Sequence, residues 1–169
     1  MLWKILTSVA LVPIVFLAIA FVLVMFPPRV EDGKSLNFDH LRGRFDHQKR
    51  EELAIFRARD GEPVSYRHYL SESRKTLILL HGSGYQGDYL EPMARYLADH
   101  GAAHIYVPNL RGHFGSGNRH GDIDYVGQLE DDLADLIDLI EVQHPDTIIF
   151  MGGHSSGGAM TIRFAASRY

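Results

Sequence analysis

The chain contains no cysteine, which excludes a disulfide framework and thiol chemistry. Basic residues are also few, since 17 Lys and Arg stand against 21 Asp and Glu and give a formal net charge of -4. Because phosphate backbones are bound by basic surfaces, this balance argues against nucleic acid as a partner. With 46% hydrophobic residues, the 169-residue chain is nevertheless able to bury the core of one domain.

Long apolar runs are missing except at the N-terminus. Residues 5–26 carry no charged side chain, and as a helix they span about 33 Å, against a hydrocarbon core of about 30 Å. A cleaved signal peptide is the alternative, because Ala18-Ile19-Ala20 has the small-x-small form of a cleavage site. The length of the run favours an uncleaved single-pass anchor, so the sequence predicts a transmembrane segment over residues 1–27 and a location at the membrane.

The remainder of the chain divides at residue 50. Residues 28–50 are polar, begin at a Pro-Pro pair and show no clear period, which predicts a linker. Residues 51–169 form the predicted domain, which begins with two β-like segments around the turn Asp60-Gly61-Glu62-Pro63. Lys and Arg are more frequent after the apolar run than before it, which favours the cytoplasmic side for this domain but leaves its side of the membrane open.

Apolar runs and helical patterns alternate through the predicted domain. The run 76–80 is short and wholly apolar, as in a strand that is covered on both faces. Residues 103–107 and 147–151 are predicted to be a second and a third buried strand. Helical patterns over 89–100 and 125–144 separate them. This order predicts a mostly parallel sheet with helices on both faces, whose ligands bind at the carboxyl ends of the strands. The acidic residues of the second helix are expected to form a solvated face; they are Glu130, Asp131, Asp132, Asp135 and Asp138.

A G-x-S-x-G motif follows the last of these strands directly and opens a helix-like segment. It consists of Gly153-His154-Ser155-Ser156-Gly157. A sharp strand-to-helix turn holds a serine above the sheet, and glycines beside it allow close approach of the backbone. The helix that follows directs its positive dipole end at developing negative charge. Because the motif stands between a buried strand and a helix, it predicts that Ser155 is a nucleophile.

A second glycine-rich loop, His81-Gly82-Ser83-Gly84, follows the first parallel strand. Acyl transfer needs two N–H groups directed at the oxyanion, and the backbone amides of Ser83 and Ser156 are the candidates. His81 is considered as a base, but its place directly before the loop favours a structural role. Gly82, Gly153, His154 and Gly157 are expected to shape the site.

A third glycine-rich loop, residues 108–117, follows the second parallel strand. By itself it indicates only a loop at the active end of the sheet. The ten histidines include no H-E-x-x-H or similar spacing, so no metal site is expected.

Together, these segments resemble the monoacylglycerol lipase and lysophospholipase branch of the α/β-hydrolase superfamily. The order and spacing of the three loops, of the acidic helix and of the serine motif match over about residues 75–166. The resemblance implies hydrolysis of a carboxylic ester through an acyl-enzyme on Ser155, without a cofactor, on a small ester or lipid-derived substrate. It also supports Ser83 and Ser156 as oxyanion donors. One departure is Asn109, where the branch usually carries an acidic residue.

The segment after Ser155 contains no acid and no histidine, whereas in this fold the triad acid and base follow the serine in the chain. We therefore expect the N-terminal half of an α/β-hydrolase, truncated after the helix that follows the motif and inactive alone. Two alternatives stay open: a peptidase of the proline-iminopeptidase kind, and a non-catalytic, hydrolase-like membrane module.

Overall fold

The computed structural model describes residues 2–26 and 51–169. The predicted linker over residues 28–50 lies outside the described residues. Those that are described belong to two compact units, of which the first contributes one helix and the second a sheet with its helices.

The helix of the first unit, α1, spans Leu2–Met25 and contains Pro13. Its side chains are described from Leu11 to Phe26. Across the described residues, no helix combines the length and the apolar character required to cross a membrane. The structure thus contains the expected helix, but the prediction of a transmembrane anchor is not supported.

The second unit is built on a five-stranded sheet. Its strands are β1 (Ala54–Arg57), β2 (Pro63–Tyr69), β3 (Lys75–Leu80), β4 (His104–Pro108) and β5 (Ile148–Gly153). They lie in the order β1-β2-β4-β3-β5. β4, β3 and β5 are parallel, whereas β1 pairs antiparallel with β2 and β2 antiparallel with β4. The predicted antiparallel pair and parallel sheet are both present, and the carboxyl ends of β4, β3 and β5 meet at one edge.

Helices cover both faces of the sheet, as the alternation of patterns predicts. A short 3-10 helix (Gly87–Leu90) leads into α2 (Glu91–Asp99), which packs on Leu79, Ile105 and Val107. The other face is covered by α3 (Gln128–Gln143) and α4 (Ser156–Ala165). The core beneath them contains Tyr66, Ile78, Leu80 and Tyr106 from the strands and Leu133, Leu136, Ile140 and Met160 from the helices.

The acidic residues of α3 do not form the solvated face that the sequence suggests. Glu130, Asp131 and Asp132 are buried, and Asp138 is exposed. The physical reason is pairing, since a buried carboxylate is tolerated when a cation and hydrogen bonds replace its water. The cations are arginines from distant segments: Arg59, Arg111, Arg163 and Arg168.

Candidate active site

Ser155 occupies a strained turn between β5 and α4. Its backbone has φ 56° and ψ -121°, in a region that residues with a side chain rarely adopt and that costs about 1–3 kcal/mol. The turn is held to the neighbouring strand, because the His154 N–H donates to the carbonyl oxygen of Leu80 at 3.0 Å. Ser155 is exposed at the carboxyl edge of the sheet.

Two glycines of the motif allow the backbone to approach closely at this turn. A Cβ at Gly153 would lie 2.3 Å from the carbonyl carbon of Gly157. A Cβ at Gly157 would lie 2.5 Å from the oxygen of Leu80 and 2.6 Å from that of His81. Real Cβ atoms do not come so close to backbone atoms, so both positions require glycine. Through these contacts the start of α4 rests directly on the end of β3.

The two predicted oxyanion donors lie side by side. The Ser83 hydroxyl donates to the Ser156 hydroxyl at 2.9 Å, which brings the loop after β3 against the first residue of α4. Among the described residues, neither the Ser83 nor the Ser156 backbone N–H has a protein acceptor. Because Ser156 is the first residue of α4, its N–H also stands at the positive end of the helix dipole. The arrangement offers two free amides beside Ser155.

His81 is fully buried and uses both ring nitrogens inside the protein. The Leu110 N–H donates to its Nε2 at 2.9 Å, so Nδ1 carries the proton and donates to the carbonyl oxygen of Gly82 at 2.8 Å. Burial lowers the pKa of His81, which keeps the ring neutral. No ring nitrogen is left to accept the Ser155 proton, and the ring instead joins the oxyanion loop to the loop after β4.

Tyr89 is a contributor that the sequence analysis missed. Its hydroxyl accepts the Gly82 N–H at 2.8 Å and lies 3.0 Å from Nδ1 of His154. It therefore connects the oxyanion loop with the residue before Ser155. A tyrosine at the start of a predicted helix carries no signal of such a role, because the contact depends on how the loop folds back.

The loop after β4 is fixed by Asn109, which is 1% exposed. Its Oδ1 accepts the Gly87 N–H at 2.8 Å, and its Nδ2 donates to the Ser65 hydroxyl at 2.9 Å. The Asn109 amide thus accepts from the Gly87 N–H and donates to the Ser65 hydroxyl. An ionised carboxylate has acceptors only and could not donate to Ser65. The departure from the lipase-like pattern is therefore accommodated by the local hydrogen bonds.

A cleft of about 270 Å³ opens beside the oxyanion loop. Ser83 and Ser156 lie in its wall, and apolar side chains provide much of the rest. The lining residues are His81, Gly82, Ser83, Leu110, His113, Leu129, Ser156, Ala159, Met160 and Arg163. His113 also lines a neighbouring cleft of about 480 Å³ that contains Tyr85 and Phe114. Ser155 itself lines neither cleft, but the next residue, Ser156, lies in the wall of the first.

The triad remains incomplete within the described residues, where no side chain is hydrogen-bonded to the Ser155 hydroxyl and no acid–histidine pair stands beside it. One histidine cluster suitable for a metal is present in the described part of the chain. It consists of His68, His104 and His144 and lies at the opposite end of β4. The spacing rules applied to the sequence do not detect it.

The chain is similar to several known proteins. Lipase 1 of Psychrobacter immobilis is 28% identical over 106 residues, which cover 63% of this chain and 32% of the lipase. A soluble variant of monoglyceride lipase from Saccharomyces cerevisiae, solved with a substrate analogue, superposes with a TM-score of 0.61 at 24% identity, over 72% of this chain and 42% of that chain. An esterase from Pyrococcus furiosus gives a TM-score of 0.57 at 24% identity, over 81% and 52%.

The chain spans about a third of the length of the curated lipase and about half or less of the two solved structures. The likeness to the solved structures establishes the fold. A family model described as serine aminopeptidase, S33, matches residues 71–169, which is more than half of the chain and includes both glycine-rich loops beside Ser155. The chain therefore belongs to the serine aminopeptidase S33 family of α/β-hydrolases.

Proposed function

We propose that the protein hydrolyses carboxylic esters of acyl chains through an acyl-enzyme formed on Ser155. The observation that carries the proposal is the apolar cleft beside two free backbone amides at a strained serine turn. The Ser155 hydroxyl attacks the ester carbonyl, the alcohol leaves, and water then releases the acid. The substrate class is a small ester or a lipid-derived ester.

The charge on the carbonyl oxygen grows as the tetrahedral intermediate forms. The N–H groups of Ser83 and Ser156 are free to donate to it, and removal of one such donor typically costs about 2.7–4 kcal/mol of transition-state stabilisation. His81 and Tyr89 act as positioning residues, because their hydrogen bonds hold the Gly82 peptide that precedes Ser83. The reaction also needs a general base to take the Ser155 proton. No described side chain is hydrogen-bonded to the Ser155 hydroxyl, so none is assigned this role.

An aminopeptidase is the second candidate, which the family description itself suggests. A peptidase that binds a free α-amino group needs an anionic partner for the ammonium. No Asp or Glu lines the cleft beside Ser83 and Ser156, and its charged lining residue is Arg163. This lining favours an acyl group over an ammonium group.

Labelling with a fluorophosphonate probe tests the nucleophile in the protein expressed from its own gene. We expect labelling of the wild type and its loss in Ser155→Ala. The matched variant Ser156→Ala removes the adjacent hydroxyl but keeps the backbone amide, so it should still be labelled. Equal labelling of wild type and Ser155→Ala would contradict the assignment, and a wild type that is never labelled would favour a non-catalytic module.

Substrate preference is tested on the same preparation. We expect turnover of p-nitrophenyl acyl esters to exceed turnover of aminoacyl and prolyl p-nitroanilides, and both to depend on Ser155. Faster cleavage of the anilides would support the peptidase and overturn the ester proposal while leaving the nucleophile in place.

A further inference from the structure

Three histidines from separate elements meet at the end of the sheet away from Ser155. His68 belongs to β2, His104 begins β4, and His144 directly follows α3. One ring nitrogen from each lies within 4.8 Å of one from each of the others. The ring centroids are separated by 5.7 Å for His68 and His104, 5.3 Å for His68 and His144, and 4.0 Å for His104 and His144.

The register of the sheet explains why these side chains converge. His68 stands directly opposite Tyr106 in the antiparallel pair of β2 and β4, so both point to the same face. His104 precedes Tyr106 by two residues and shares that face. α3 crosses the same face and contributes to the core around Tyr106, which delivers His144 at its C-terminal end. The convergence is therefore a property of the fold.

The cluster contains polar atoms without a protein partner. Nε2 of His68 is buried and has no hydrogen-bond partner among the described residues. The Ser71 hydroxyl is also buried and has no hydrogen-bond partner among the described residues. The backbone N–H of Ser71 donates to Nδ1 of His104 at 3.2 Å. A buried polar group that is left without a partner destabilises the fold. A metal ion that accepts the lone pair of His68 Nε2 would give this buried nitrogen a partner.

The ring of His144 is oriented for a ligand role. The Tyr106 hydroxyl donates to Oε1 of Gln143 at 2.6 Å, so it accepts from Nε2–H of His144 at 3.0 Å. This fixes the proton on Nε2 and leaves the lone pair of Nδ1 available. A second hydrogen bond that sets the tautomer of a histidine is the usual arrangement around ligating imidazoles.

All three rings are held in the neutral form, which is the form that binds metal. Burial first, and then the neighbouring His144 and His104, lower the pKa of His68 to about 4. Burial also lowers the pKa of His104 and of His144. At neutral pH the three imidazoles are uncharged. The lone pair of His104 Nδ1 accepts the Ser71 N–H, so an ion that binds this nitrogen takes the place of that hydrogen bond.

We propose that His68, His104 and His144 bind one divalent transition metal ion of the class that prefers imidazole, with Zn²⁺ foremost. Three histidines and one open position for water are a common donor set for this ion. Tetrahedral Zn–N bonds of about 2.1 Å place the ligand nitrogens about 3.4 Å apart. The three nitrogens lie within 4.8 Å of one another, so each distance between them needs to shorten by no more than about 1.4 Å. The ion would tie β2, β4 and the end of α3 together, independently of the reaction at Ser155.

Metal titration of the purified full chain, without a polyhistidine tag and after treatment with a chelator, tests the site. We expect saturable binding of one Co²⁺ per chain with the visible absorption of a tetrahedral complex, and displacement of Co²⁺ by Zn²⁺. Zn²⁺ should also raise the unfolding midpoint, because it binds the folded state. In the NMR spectrum of the wild type, Zn²⁺ should shift the ring signals of these three histidines and the amide signal of Ser71.

Two variants remove a ligand nitrogen while they keep the neighbouring contacts. His68→Phe keeps a ring stacked on Tyr106, and His144→Gln keeps a donor for the Tyr106 hydroxyl. Each should weaken Co²⁺ binding at least about tenfold, whereas His100→Gln, outside the cluster, should bind as the wild type does. The proposal is overturned if the wild type shows no saturable binding, if both variants bind as tightly as wild type, or if the shifted signals belong to other histidines.

Discussion

Replacing Gly157 with alanine would place a methyl carbon 2.5 Å from the carbonyl oxygen of Leu80 and 2.6 Å from that of His81. Both oxygens belong to backbone at the end of β3, and the Leu80 oxygen also accepts the His154 N–H. The methyl group therefore meets atoms that cannot move without loosening the serine turn. We expect Gly157→Ala to destabilise the fold and to push α4 away from β3.

The size of the effect follows from two opposing contributions. Overpacking costs about 1–3 kcal/mol, and a clash with fixed backbone lies at the upper end of that range. Alanine recovers about 0.5–1 kcal/mol, because glycine is a poor helix residue and Gly157 lies within α4. The net loss is about 2 kcal/mol, which corresponds to a fall in the unfolding midpoint of roughly 6–10 °C for a domain of this size.

Gly152→Ala provides the matched control. A Cβ there would lie 3.7 Å from a methyl group of Leu77, which is ordinary contact, and the residue precedes the same turn. We expect its stability to stay within about 1 kcal/mol of wild type. Urea unfolding of the three proteins, followed by circular dichroism, measures the difference. If Gly157→Ala is as stable as Gly152→Ala, the close packing of α4 on β3 is not as described.

Two further predictions concern buried charge and pH. Asp132→Asn removes the main partner of Arg111, which it contacts at 2.6 Å, and should lower the free energy of unfolding by about 2–3 kcal/mol. Asp138→Asn on the exposed face of α3 should change it by less than about 0.5 kcal/mol; equal values in urea unfolding would contradict the pairing. The folded-state pKa of His68, about 4, lies below its ordinary value of 6.5, so its protonation destabilises the fold as pH falls from 6.5 through 4. In chelator, the unfolding midpoint of wild type should fall more than that of His68→Phe over this range, and parallel curves would refute the assignment.

The sequence analysis predicts the serine turn well because its information is local. The residues from Gly153 to Gly157 are contiguous, an apolar run directly precedes them, and a helix-like segment directly follows. The same holds for the loop at Ser83, since its place after a buried strand determines which edge of the sheet it occupies. The helix α3 is also predicted, although it begins at Gln128, because Gly127 adopts a left-handed conformation with φ 107°.

Features that depend on distant partners are not predicted. The burial of Asp131 and Asp132 requires arginines that come from other segments of the chain. The histidine cluster combines residues from β2, β4 and the end of α3, so no spacing in the sequence marks it. Tyr89 gains its position only when the oxyanion loop folds back on the serine turn. In each case the tertiary fold supplies the partner.

The position of β5 in the sheet has a consequence for handling the protein. β5 pairs with β3 on one side, and within the described residues no strand pairs with its other side. Ile148 and Phe150, which share one face of β5, are 58% and 49% exposed. An unpaired apolar edge is a template for a strand from another molecule. Where this edge is left uncovered, a strand from a second copy can pair with it, and the share of monomer then depends on the protein concentration.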